Sequence, residues 1–109
     1  MTQNQTCCAE LEGWLSPVLF KALSDPNRIA LLVALAESRR EQTVSEIAKT
    51  CSVDLSVVSR HLKTLRDAGV LQAEKRGKQV FYSVRISGLV IALRGLADAL
   101  EACCPPGGR

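Results

Sequence analysis

Five cysteines lie among the 109 residues, and four of them form two adjacent pairs, Cys7-Cys8 and Cys103-Cys104, one near each end of the chain. The fifth, Cys51, lies near the middle. Adjacent thiolates can bind one soft ion together. A trigonal set of three thiolates suits As(III) or Sb(III), and sulfur ligands also suit Cd(II), Pb(II) or Bi(III). Each pair supplies two sulfurs, so a third thiolate has to come from elsewhere in the fold.

The source of that third thiolate is left open by the sequence. Cys7 or Cys8 would supply it to the C-terminal pair if the first and last helices pack antiparallel, and Cys51 is the other source. Packing in the core is an alternative role for two of the thiols, because Cys103 continues a row of leucines and Cys51 lies at the end of a predicted short helix. Oxidation is an alternative chemistry, but a disulfide between adjacent residues closes a strained ring, which favours chelation.

A helix-turn-helix is predicted at about residues 45–69. A short helix at 45–51 precedes a tight turn, a cap at Asp54 and a second helix at 55–68 that ends at Gly69. One face of the second helix is apolar, and this face comprises Leu55, Val58, Leu62 and Leu65. The opposite face combines hydroxyls and cations, which suit base edges and phosphates. With its neighbours, the predicted DNA-binding set on this helix is Ser56, Val57, Ser59, Arg60, His61 and Lys63.

His61 is the only histidine in the chain and lies at the border of the apolar face. We interpret it as a partly buried packing residue near the DNA-binding face. No second histidine supports a role as a metal ligand.

A β-hairpin with a basic tip is predicted at about residues 71–85. Val80, Tyr82 and Val84 alternate with more polar positions, as expected for a strand. The cations Lys75, Arg76 and Lys78 gather at the turn, where like charges destabilise the fold unless a polyanion neutralises them. A helix-turn-helix followed by such a hairpin is a winged helix, and we expect all three cations to contact DNA.

The remaining elements fit one domain over residues 1–109, mainly α with a small β-hairpin (α+β). We expect helical residues at 9–23 with a kink at Pro17, a helix from Asp25-Pro26 to about Ser38, and a solvated loop at Glu37–Gln42. The last helix is predicted at about 87–103. It has an apolar row suited to pairing with another helix, formed by Leu89, Leu93, Leu96 and Leu100. A homodimer through the first and last helices follows.

Several function classes are disfavoured by the sequence. An enzyme is not expected, because no Cys-x-x-Cys, no phosphate-binding loop and no base beside the cysteines is found. No membrane association is expected, because no apolar run approaches the roughly 18 residues needed to span a bilayer. The polar N-terminus does not resemble a signal peptide, so we expect a cytoplasmic protein.

Two stretches, Lys21–Ile29 and Val57–Leu71, resemble the ArsR/SmtB family of bacterial metal- and metalloid-responsive repressors, and the likeness covers roughly residues 18–100. The resemblance implies a homodimer of winged helices that occupies an operator in double-stranded DNA and leaves it when an inducer binds. Two family features are absent. Thr43-Val44-Ser45 stands where arsenic sensors have Cys-Val-Cys, and residues 86–102 contain no histidine for the family's zinc site.

We therefore expect an arsenic-responsive repressor of this family. Its inducer would be As(III) or Sb(III), other thiophilic metals being possible, and it would bind among Cys103, Cys104, Cys7, Cys8 and Cys51 without any organic cofactor. The alternative is a winged-helix repressor that senses oxidants or reactive sulfur through cysteine oxidation.

Overall fold

The computed structural model describes residues 10–51 and 53–103. Residues 10–14 are helical and are labelled α1. The elements that follow are α2 (Pro17–Leu23), α3 (Pro26–Ser38), β1 (Gln42–Thr43), α4 (Val44–Cys51), α5 (Leu55–Asp67), β2 (Leu71–Arg76), β3 (Gln79–Val84) and α6 (Ile86–Cys103). This order confirms a winged helix-turn-helix, with α4 and α5 as the helix-turn-helix and β2 and β3 as the wing.

Local capping explains where α2 and α3 begin. The Ser16 hydroxyl accepts a hydrogen bond from the Leu19 amide at 3.1 Å, and Pro17 occupies the first turn of α2. The Asp25 carboxylate accepts from the amides of Asn27 and Arg28, which start α3 where the sequence predicts. These hydrogen bonds lower the pKa of Asp25, the bond from the Asn27 amide being the largest cause.

The helix-turn-helix begins with a reciprocal cap. The Thr43 amide donates to the Glu46 carboxylate at 2.9 Å, and the Glu46 amide donates to the Thr43 hydroxyl at 3.2 Å. Asp54 occupies the capping position before α5 as predicted, but its side chain makes no capping hydrogen bond, so the prediction that it caps the helix is wrong. Gly69 has a φ of 82°, a conformation in which glycine avoids the Cβ strain of other residues, and ends α5 as predicted.

The wing belongs to a three-stranded antiparallel sheet rather than to an isolated hairpin. The strand order is β1-β3-β2, and β1 pairs with β3 through Gln42↔Tyr82 and Thr43↔Phe81. The predicted end of α3 at about Ser38 is confirmed, but the solvated loop predicted for Glu37–Gln42 is shorter than expected, because Glu37 lies in α3 and Gln42 is part of β1. A strand of two residues is too short to produce an alternating pattern in the sequence.

The core lies between the helices and the inner face of the sheet. On α5 the buried residues are Val58, Leu62 and Leu65, whereas Leu55 is 53% exposed, so its predicted place in the core is wrong. Leu55 is the first residue of α5, where the neighbouring elements no longer cover the helix. The other core residues are Leu19, Ala22, Leu31, Leu35, Ile47, Val70, Leu71 and Tyr82.

The first and last helices touch each other. An ideal Cβ built at Gly95 of α6 would lie 2.5 Å from two carbons of the Trp14 indole, so the ring packs directly on the bare backbone there. Large apolar side chains in these two helices, and Leu15 directly after α1, are still substantially exposed; those in the helices are Trp14, Ile86, Val90, Ile91, Leu93 and Leu100. Within residues 10–51 and 53–103, no helix is long and apolar enough to cross a membrane.

Candidate nucleic-acid interface and thiol positions

The outer face of α5 presents the polar side chains predicted to meet DNA. Ser56, Ser59, Arg60 and Lys63 are exposed, while Val57 is half-buried at the edge of the face. The Thr64 hydroxyl donates to the Arg60 carbonyl at 3.1 Å, so it is occupied within the helix. Short hydroxyls and long cations along one side of a helix can donate to base edges and phosphates together.

Arg28 at the start of α3 links the α2–α3 turn to α5. Its guanidinium donates to the carbonyls of Ala22 at 2.8 Å and Lys21 at 3.0 Å, and it lies 3.6 Å from the Asp25 carboxylate. Its Nη1 atom is also 3.4 Å from Nδ1 of His61 on α5. Because a guanidinium only donates hydrogen bonds, the His61 nitrogen accepts. His61 thus links α5 to the α2–α3 turn, which agrees with its interpretation as a packing residue.

The three cations of the wing lie in different surroundings. Lys75, Arg76 and Lys78 are all exposed, and Gly77 supports the tight turn with a φ of 62°. Arg76, however, forms ion pairs with Glu41 at 2.6 Å and Glu74 at 2.7 Å. Its charge is therefore balanced within the protein, whereas among the described residues neither lysine takes part in an ion pair. This difference could not be read from the spacing of the cations.

Cys51 lies half-buried at the end of α4 and packs against the core. It borders a cavity of about 240 Å³ between α3 and the helix-turn-helix. His61 and Val57 line the same cavity, whose remaining walls are Asn27, Ala30, Leu31, Val53 and Val58. A thiol here is well placed for packing, and any ligand bound to it would act directly on α5.

Cys103 is the last described residue of α6 and is half-buried. Cys7, Cys8 and Cys104 lie outside the described residues, so the structure does not test the predicted set of five thiols. Within the described ranges, no group of three or more cysteine, histidine or acidic side chains could hold a metal ion. The choice among the cysteines therefore stays a prediction.

Two residues of the site were missed by sequence reasoning. Arg28 lies within the stretch that resembles the family, but its contacts with α5 depend on a residue 33 positions away. Glu41 was assigned to a solvated loop, yet it pairs with Arg76 across 35 positions. No local signal marks either contact.

Comparisons with known proteins agree with this geometry. A family model described as a helix-turn-helix domain matches residues 23–72. The HTH-type transcriptional repressor SmtB of Mycobacterium tuberculosis is 42% identical over 84 residues, which cover 76% of this chain and 61% of SmtB. The arsenic resistance transcriptional regulator ArsR1 of Pseudomonas putida is 31% identical over 93 residues, covering 83% of this chain and 72% of ArsR1.

Solved structures show the same fold. An ArsR-like transcriptional regulator from Rhodococcus sp. RHA1 has a TM-score of 0.66 and 29% identity, with 83% of this chain and 78% of that chain covered. A homodimeric winged helix-turn-helix DNA-binding domain from Mycobacterium bovis has a TM-score of 0.59 and 26% identity, covering 74% and 76% of the two chains. These relatives are transcriptional regulators rather than enzymes, and the chain belongs with them to the ArsR/SmtB family of DNA-binding winged-helix regulators.

Proposed function

We propose that this protein is a cytoplasmic, homodimeric repressor that occupies an operator in double-stranded DNA. It releases the operator when As(III) or Sb(III) binds cysteine thiolates. The observation that carries the proposal is the contact between Trp14 and Gly95, which aligns α1 with the helix that ends in Cys103. The relative from P. putida is named as an arsenic resistance regulator, which supports the choice of inducer.

The path of the chain before α2 runs along α6, which supports a thiolate site formed by cysteines from both ends of the chain. Leu89 and Ala92, early in α6, pack against the core that contains α2. Trp14 meets α6 further along, at Gly95, and Ala99 beyond it is only 6% exposed. Traced backwards from α2, the chain thus follows α6 towards Cys103. On this path Cys7 and Cys8 would approach Cys103-Cys104 and supply the third thiolate, with Cys51 as the alternative.

DNA binding would use α5 and the wing. The exposed face of α5, with Ser56, Ser59, Arg60 and Lys63, would enter the major groove, and the wing lysines would contact phosphates. The half-exposed Leu93 and Leu100 would be covered by the same helices of a second copy. The homodimeric relative from M. bovis supports this arrangement. Two copies would then read an inverted repeat.

Release would follow from the double role of α1 and α6. The thiolates would be close in the chain to α1 and α6, which would also form the dimer contact, so drawing three sulfurs together would shift the helices that set the spacing of the two α5 helices. A dimer matched to one half-site spacing tolerates little shift. We expect the coupling between inducer and DNA to be about 1–3 kcal/mol, the usual range for allosteric proteins.

The test combines Cys103→Ser with Cys104→Ser in a titration with arsenite under anaerobic, reducing conditions. The probe is a DNA duplex that the unmodified protein selects from a random-sequence pool. We expect the double variant to bind the duplex normally but not to release it, while the unmodified protein does. Release by the double variant at an unchanged arsenite concentration would place the site among Cys7, Cys8 and Cys51.

The same titration separates the alternative chemistry. If arsenite fails to release the unmodified protein while an oxidant or a persulfide does so reversibly, cysteine oxidation is the signal and the metalloid proposal is wrong. Cys51→Ser is the single variant for comparison, because Cys51 is the other candidate for the third thiolate. Loss of arsenite response in this variant alone would identify Cys51 as the third thiolate.

A further inference from the structure

The guanidinium of Arg76 contacts three side chains of the protein itself. Its Nη1 atom lies 2.6 Å from one carboxylate oxygen of Glu41. Its Nη2 atom donates to the other oxygen of Glu41 at 2.8 Å and to Glu74 at 2.7 Å. Its central carbon lies 4.7 Å from the centroid of the Phe81 ring. The planar fork thus combines a bidentate ion pair, a second ion pair and a stacking contact.

The charge of this cluster is not positive. One guanidinium meets two carboxylates, and the hydrogen bond from Arg76 lowers the pKa of Glu74, which keeps that carboxylate ionised. A DNA phosphate approaching Arg76 would meet two carboxylates beside the guanidinium, which oppose its binding. Lys75 and Lys78 are exposed, and within the described part of the chain no acidic side chain pairs with them.

The contacts of Arg76 join the outer part of the wing to the connection before β1, whereas Leu71 and Tyr82 hold the inner face of the wing in the core. Glu41 lies in the connection between α3 and β1, Arg76 ends β2, and Phe81 lies in β3. β1 itself pairs with β3 through only two residues, so the backbone ladder between the body and the wing is short. A side chain that binds Glu41 while stacking on Phe81 therefore restricts the angle of the hairpin.

We propose that Arg76 is a positioning residue that holds the wing at its working angle through Glu41, Glu74 and Phe81, and that Lys75 and Lys78 are the cations that bind phosphate. The inference rests on the DNA-binding part of the proposed function and is independent of the inducer. It divides the three cations of the wing into two roles.

The sharpest variant is Arg76→Lys, compared with Arg76→Ala. Lysine keeps the charge and binds phosphate well, but it cannot form the planar fork or the same stack. We expect both variants to lose about three- to tenfold in affinity for the selected duplex, with an unchanged slope of log K against log salt. Lys78→Ala should lower that slope by about 0.9, as expected for one lost phosphate contact. Full affinity in Arg76→Lys, or a slope change in Arg76→Ala equal to that of Lys78→Ala, would overturn the proposal.

A second variant, Glu41→Gln, should change DNA affinity in opposite directions depending on whether Glu41 holds Arg76 in place or acts only through its charge. Glu41→Gln removes a negative charge near the DNA, so simple electrostatics predicts tighter binding. If Glu41 instead holds Arg76 in place, binding weakens. Glu37→Gln is the matched control, because Glu37 is exposed, lies only four residues earlier and makes no ion pair among the described residues. Equal tightening in both variants would refute the role of Arg76.

Amide hydrogen exchange, measured without DNA, tests directly whether Arg76 holds the wing in place. Amide hydrogen exchange of residues 77–80 should be faster in Arg76→Lys and Glu41→Gln than in the unmodified protein, with exchange in α5 unchanged. Unchanged exchange at the turn would show that Arg76 does not hold the wing. Failure of the unmodified protein to select any duplex would instead contradict the proposed DNA-binding surface. Hydroxyl-radical footprints of the variants should lose only the protection at the flanks, where the wing binds.

Discussion

Replacing Gly95 with alanine tests the contact on which the proposed thiol site depends. A Cβ at this position would lie 2.5, 2.5 and 2.6 Å from three carbons of the Trp14 indole. Carbon atoms in ordinary contact are about 3.5–4.0 Å apart. Because the indole is rigid, the whole ring has to move by about 1 Å. A single methyl group therefore displaces the Trp14 ring from its contact with α6.

The expected magnitude follows from two opposing effects. Overpacking of this kind costs about 1–3 kcal/mol. Exchanging glycine for alanine inside a helix stabilises it by about 1 kcal/mol. We therefore expect Gly95→Ala to lower the free energy of unfolding by about 0–2 kcal/mol. The matched control is Gly88→Ala in the same helix, where the nearest atoms are 3.6 Å away in the flexible Arg85 side chain. The control should stabilise by about 1 kcal/mol, so the two variants should differ by the overpacking cost of about 1–3 kcal/mol.

The assay is thermal unfolding at one fixed protein concentration, because the stability of a dimer depends on concentration. At about 4–8 °C per kcal/mol, Gly95→Ala should melt at least about 4 °C below Gly88→Ala. Trp14 is the only tryptophan, so its fluorescence reports the displaced ring directly. In a Trp14→Ala background the clash is gone, and Gly95→Ala should become stabilising. If Gly95→Ala is as stabilising as Gly88→Ala in the unmodified background, Trp14 does not pack on α6.

Two other predictions concern the dimer and the helix-turn-helix. In sedimentation experiments we expect the unmodified protein to be a dimer and Leu96→Asp to be a folded monomer. The reason is that pairing of the helices would bury the unpaired charge of the aspartate. If the unmodified protein is a monomer, the proposed dimer is ruled out. The hydrogen bond from the Thr43 amide lowers the pKa of Glu46 from 4.5. The stability that this carboxylate contributes is thus present at neutral pH and is lost as the pH falls below about 4.5. Glu46→Gln should make the melting temperature less dependent on pH in that range. If the melting temperature of this variant depends on pH as it does in the unmodified protein, the cap between Thr43 and Glu46 is contradicted.

Most helix boundaries could be predicted because the signals that set them are local. The Asp25 carboxylate caps amides two and three residues away, and Gly69 ends α5 through its own backbone conformation. The buried residues of α5 followed from helical periodicity, which depends only on spacing along the chain. The exception, Leu55, has the correct spacing but lies at the helix end, where no neighbouring element covers it.

The candidate site was predictable to the same degree. The polar face of α5 and the basic turn of the wing are properties of short segments, and both are exposed as expected. The different surroundings of Arg76 and Lys78 were not predictable, because the carboxylate that separates them lies 35 residues from Arg76. Which cysteines come together is likewise a question of how helices pack, which residue spacing does not encode.

The sequence by itself determined the family, the order of the helices and the wing, and the chemical types of residue available for DNA and for soft ions. Capping, periodicity and turn chemistry act within a few residues and can be read directly. Only the tertiary structure decided that Arg28 ties α5 to the α2–α3 turn, that Glu41 balances the charge of Arg76, and that Trp14 occupies the space above Gly95. Each of these contacts joins segments that are distant in the chain, and they meet only because burial of the shared core brings their elements together.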